Sequence, residues 1–89
     1  MNEVVLRETM RPVHEIASEI SAIWRKIGKG VNYGAKPYLH AMMSLTSASD
    51  SYGCDSGDSI IRYGLSNMTS FRGADARRLK AELKEHIGA

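Results

Sequence analysis

Seven apolar residues, Val13, Ile16, Ala17, Ile20, Ile23, Trp24 and Ile27, recur at steps of three or four residues, with polar residues between them. That spacing lines one face of an α-helix; a strand would need alternation at every second residue. The face opposite carries Glu15, Glu19, Ala22 and Lys26, while His14, Ser18, Ser21 and Arg25 run along one flank. Such a helix is amphipathic and must lay its apolar face against other apolar surface. Pro12 suits the first turn, where a missing N–H costs nothing, and Gly28 directly after Ile27 suits the left-handed residue that closes a helix. Val5, Leu6 and Thr9 project onto the same face if the helix also runs through residues 2–8, and a short separate helix bent at Pro12 is the alternative.

Gly28, Gly30 and Gly34 interrupt the chain next, and Pro37 then opens a second helix to about Thr46 with little polar face: Tyr38, Leu39, Ala41, Met42, Met43 and Leu45. Residues 46–57 are dominated by serine, aspartate and glycine, whose side chains and backbones favour turns. Asp55 with Asp58 has the form of a capping box for a third helix from about Ser56 to Asn67, which would bury Ile60, Ile61, Gly64, Leu65 and Met68. A glycine inside a helix costs roughly 1 kcal/mol against alanine, so Gly64 implies a close approach by another segment. After a turn at Met68–Ser70, Phe71 leads into a fourth helix with the apolar line Ala76, Leu79, Leu83 and Ile87, ended by Gly88. No run alternates strictly enough for a strand, and no repeat is present. The expected fold is all-α: one domain over residues 1–89, a compact bundle of about four helices with loops at 28–36 and 46–55.

At 89 residues, 43% hydrophobic and 25% charged, the chain has the composition of a folding domain but a small core. A homodimer is one remedy for a small core and is expected here, with helix one or the Met42–Met43 segment supplying the apolar surface. Cys54 is the one cysteine, so no internal disulfide is available. With no secretory apolar run near Met1 and no stretch of spanning length, the expectation is a cytoplasmic protein without a membrane partner.

Motifs for chemistry are weak. Counted from Asp50, an EF-hand loop would need glycine at the position of Asp55 and glutamate at that of Ile61, so turn and cap chemistry is the better account of these aspartates. Gly28-Lys29-Gly30 lacks the spacing and the following hydroxyl of a phosphate loop. His14, His40 and His86 fall on three different expected helices, without the spacing that lets imidazoles share a metal. No nucleophile elbow or cysteine-protease signature surrounds any serine or cysteine. The chain is therefore read as non-enzymatic, with no cofactor and no metal. Trp24, on the apolar face, is expected to be a core anchor.

Charge is more informative than motif. Residues 1–24 hold two basic and four acidic side chains, 25–40 four basic and none acidic, 41–60 none basic and three acidic, and 61–89 six basic and three acidic. On the fourth helix Arg77, Lys80 and Lys84 form a stripe without acidic neighbours, with Arg72 just before it, while Arg78, Glu82 and Glu85 take the other flank. Arg72, Arg77, Lys80 and Lys84 are the candidate residues for an anion or another partner. Arg25, Lys26 and Lys29 are a second basic group, and helices three and four could form a helix-turn-helix.

Four segments carry a family likeness: Tyr38-Leu-His-Ala-Met-Met-Ser-Leu, Asp50-Ser-Tyr-Gly-Cys-Asp, Ile61-Arg-Tyr-Gly-Leu-Ser-Asn, and Phe71-Arg-Gly-Ala-Asp-Ala-Arg-Arg-Leu-Lys-Ala-Glu-Leu-Lys. Together they resemble small uncharacterised helical proteins of phages that infect actinobacteria, over about the last fifty residues. The Tyr63-Gly64 pair departs from the Tyr-Phe of that pattern. The resemblance implies a small binder that alters a host process, and it gives no residue a role. The expected function is a non-enzymatic interaction protein acting on an unidentified protein, such as a host factor. The alternative is a nucleic-acid-binding regulator using the basic last helix.

Overall fold

The computed structural model describes residues 10–89, and the alternatives for residues 2–9 lie outside them. Among the described residues four helices form: α1 (Val13–Trp24), α2 (Lys36–Met42), α3 (Gly57–Ser66) and α4 (Ala74–His86). Between α2 and α3 lies a two-stranded antiparallel hairpin, β1 (Ser51–Tyr52) and β2 (Asp55–Ser56), with Ser51 opposite Ser56 and Tyr52 opposite Asp55. The molecule is thus mostly helical but not strictly all-α. So short a ladder, all of it exposed, has no buried face and leaves no alternating apolar pattern in the sequence.

α1 packs on α2 and α4, and α3 packs on the same two helices, which closes the four into a ring around one core. Val13, Ile16, Ala17, Ile20 and Trp24 of α1 are buried, as their periodicity requires. They meet Leu39 and Met42 of α2, Ile60 and Ile61 of α3, and Ala76, Leu79 and Leu83 of α4. Leu45, Met68 and Phe71 enter the core from the connections. Phe71 stacks on Trp24 at 5.1 Å between ring centroids, so Trp24 is the anchor its position implied. α1 and α4 run antiparallel: Trp24 at the end of α1 meets Phe71 just before α4, and Arg11 before α1 meets Glu82 and His86 near the end of α4.

Several boundaries differ from expectation for reasons visible in the hydrogen bonding. α1 ends at Trp24, not Ile27, because Lys26 N donates to Ile23 O and Ile27 N to Trp24 O, a tightening to three residues per turn. That tightening rotates Ile27 off the apolar face and leaves it 41% exposed. α2 stops at Met42, short of Thr46, where Ser44 N and Leu45 N donate to Ala41 O and Met42 O in a tightening to three residues per turn. The Leu45 and Thr46 carbonyls accept from His14 N and Val13 N, at 2.8 and 3.0 Å. Those two bonds satisfy first-turn donors of α1 that Pro12, immediately outside the helix, leaves without a side-chain cap. At α3 the cap is Ser56, whose Oγ accepts from Ser59 N at 3.1 Å, rather than Asp55. Asp58 instead pairs with Arg62 one turn on, at 2.6 Å. At Gly64 the close neighbours are the side chains of Tyr38 and Met42 on α2, where α3 crosses it.

A candidate anion-binding face

An acid–base network organises one flank of α4. Arg78 reaches Glu19 on α1 at 2.6 Å and Asp75 and Glu82 on its own helix at 3.2 and 3.5 Å. Arg11 bridges the same two glutamates, at 2.9 Å to Glu19 and 2.7 Å to Glu82. The hydrogen bond from Arg78, assisted by Arg11, holds the Glu19 carboxyl below the usual carboxylate range. Glu19, expected opposite the apolar face of its helix, is therefore half-buried against α4. The sequence signal for this joint was faint: Arg78 lies three residues after Asp75 and four before Glu82, but nothing local points to Glu19 or Arg11.

The network leaves the other side of α4 to cations. Arg72, Arg77 and Lys84 are exposed, and Lys80 is half-buried with its Nζ 5.8 Å from the centroid of the Phe71 ring. Burial first, then the charges of Lys84 and Arg72, hold the Lys80 ammonium below the ordinary lysine range. Among the described residues, no carboxylate lies within ion-pair distance of Arg72, Arg77, Lys80 or Lys84. Two of the four cations are held in place: Lys80 by its ring contact and Arg72 by a hydrogen bond from Nε to Thr69 O at 3.2 Å. That bond engages Nε of Arg72. Beside the cations the exposed residues of α4 are Ala74, Asp75, Ala81 and Glu85, so the face has no large apolar anchor.

The structure thus brings Arg72, Lys80 and Lys84 together on the stripe read from the sequence, and Arg77 shares their helix face. Arg25, Lys26 and Lys29 follow the end of α1, and Lys29 joins a groove of about 460 Å³ with Trp24, Ile27, Asn32, Tyr33 and Ser70. Gly28 and Gly30 shape it with φ of +54° and +82°, left-handed conformations that a side chain would strain. A tight helix-turn-helix is not formed: residues 67–73 between α3 and α4 bury Met68 and Phe71 and make a longer connection than its short turn allows. Another cleft of about 380 Å³, between Met10, Pro12, residues 46–49 and His86, has only His86 as an ionisable group, and its Nε2 donates to Arg11 O at 2.7 Å. The candidate calcium aspartates are used locally, Asp50 accepting from Thr46 N and Ser47 N and Asp58 pairing with Arg62. Among the described residues no three His, Cys, Asp or Glu side chains gather as a metal would require, and no helix is long and apolar enough to cross a membrane.

Comparison with protein-family models, with curated proteins and with solved structures finds no match to this chain.

Proposed function

We propose that this protein is a non-enzymatic binding domain whose working surface is the cationic face of α4, and that its partner is a polyanion, nucleic acid in the first place. The observation that carries the reading is the segregation of charge. Glu19, Asp75 and Glu82 are taken up by Arg11 and Arg78, and of the carboxylates of α4 Glu85 alone stands without an ion pair among the described residues, while Arg72, Lys80 and Lys84 crowd together on the other flank. Crowding like charges destabilises a fold slightly and is repaid when an anion binds between them.

The nature of the face favours nucleic acid over protein. Protein interfaces draw their affinity from aromatic anchors in pockets and are depleted in lysine, whereas this helix presents lysine, arginine and alanine. An evenly charged phosphate backbone needs nothing more than such cations. A second reading, an acidic protein such as a host factor, draws on Ile27, which stands exposed in the groove lining with Lys29. Association with phage biology stays with the sequence likeness and assigns no residue.

Titration of labelled DNA at low salt tests the reading. Binding should weaken steeply as salt rises, and replacing Arg77, Lys80 and Lys84 together by glutamine should weaken it for every sequence and flatten the salt dependence. Absence of binding to duplex or single strand at low salt would transfer the face to an acidic protein.

A further inference from the structure

We infer that the groove at the Trp24 end of the bundle, with the cations beside it, receives single-stranded nucleic acid, an unpaired base lying against Tyr33 while Arg72 and Lys80 meet the backbone phosphates. The inference rests on the polyanion reading and goes beyond it by naming the form of nucleic acid and a residue outside the basic helix.

Tyr33 is 88% exposed, yet the backbone that carries it is fixed. Asn32 Oδ1 accepts from Gly34 N at 3.2 Å, Asn32 Nδ2 donates to Asn67 O at 3.4 Å, and Ala35 N donates to Asn32 O at 2.9 Å. A large aromatic ring held out from an ordered loop contributes nothing to the core and presents a bare π face at the rim of the groove. Every base offers a complementary face, and stacking of bases on protein aromatics beside a cationic track is the common chemistry of single-strand binding. A duplex keeps its bases stacked inside and has no use for such a ring.

The groove lies next to the start of the cationic helix. Trp24 lines the groove and stacks on Phe71, Lys80 lies over that same ring, and Ser70 lines the groove two residues before Arg72. Lys29 adds a further positive charge within the groove lining. A strand running from the groove past Ser70 towards Arg72 would therefore meet the aromatic ring and then the cations, and a negatively charged strand is the occupant whose charge complements them.

The test is fluorescence anisotropy with a labelled oligothymidine, a duplex of equal length and polyglutamate, against the full chain and its variants at low salt. Oligothymidine should bind more tightly than the duplex. Tyr33→Ala should weaken the single strand roughly 5- to 150-fold, the value of one stacked base, and leave duplex affinity unchanged. Tyr33→Phe should retain most of the affinity. Arg72→Gln with Lys80→Gln should weaken both nucleic acids and reduce the salt slope. Since Tyr33 lies outside the core, an unchanged melting transition accompanies the expected result. Single-strand affinity indifferent to Tyr33→Ala, or no tighter than duplex affinity, overturns the single-strand assignment and leaves the polyanion reading intact. No nucleic-acid binding at low salt overturns both, and tighter binding of polyglutamate assigns the face to an acidic protein.

Discussion

At Gly57 the room for a side chain has been used by backbone. A Cβ built there would lie 2.9–3.0 Å from the carbonyl oxygens of Ser47, Ala48 and Asp50, which belong to the turn folded over the start of α3. All three oxygens are already engaged, Ser47 O accepting from Asp50 N, Asp50 O from Gly57 N and Ala48 O from Asp58 N. Carbonyl groups held this way cannot yield as a flexible side chain does. Gly57→Ala should therefore cost about 1–3 kcal/mol in chemical denaturation, against the gain that alanine normally brings to a helix. A neutral or stabilising result would show that the turn shifts freely. Ile20, fully buried at the middle of α1, should lose about 2–4 kcal/mol on truncation to alanine, and a loss under about 0.5 kcal/mol would remove it from the core. The two sites differ in legibility. Ile20 is written in the three-four spacing of α1, whereas Gly57 sits in a serine-rich stretch that reads as generic turn, because its constraint comes from residues that fold back over it.

Among the elements, α4 carries an ion-pair network on one flank and the cations proposed to bind on the other, and substitution separates them. Replacing Arg77, Lys80 and Lys84 by glutamine should change stability by no more than about 1 kcal/mol, mostly through loss of the Lys80 contact with Phe71. Urea denaturation measures this, and a larger loss would mean that the stripe is structural. The opposite flank responds to acid. Because the Glu19 carboxyl is held below its usual range in the folded state, its contribution is fully present above the unfolded carboxylate pKa and fades as pH falls through the depressed value. Glu19→Gln should lower stability near neutral pH and make the acid-side decline shallower, which thermal melts from neutral to acidic pH would detect; parallel profiles for both proteins would exclude Glu19 from the acid response. The cationic stripe was legible because residues 77, 80 and 84 share a face whatever the helix packs against. The opposing network was not, since Arg11 and Glu19 reach α4 only through the antiparallel docking of α1, a tertiary fact with no local trace. Short elements behaved likewise: the ends of α1 and α2 are set by tightened turns and by carbonyls borrowed from one to complete the other, and the hairpin by turn geometry alone.

At the scale of the molecule, the ring of helices buries Trp24, Phe71 and Met42 fully within one chain. Those three side chains are therefore not available to the homodimer expected from chain length. Met43, one of the residues assigned to its surface, is 42% exposed, while its neighbour Met42 is wholly inside. The unfolding midpoint should be independent of protein concentration over the micromolar range, and one that rises with concentration would restore the dimer as part of the folded unit.

The crossing of Arg11 with Glu82 and His86 also has a practical side. The polypeptide enters and leaves the helical ring at the same end, while Ile27, Tyr33 and Ser70 gather at the other, about 18 Å away along α1. A tether attached after Ala89 would thus hold the molecule by its back, with the groove facing solution. On a sensor surface the immobilised protein would present the end proposed to receive a strand, whereas coupling through surface lysines would consume the cations on which that proposal rests.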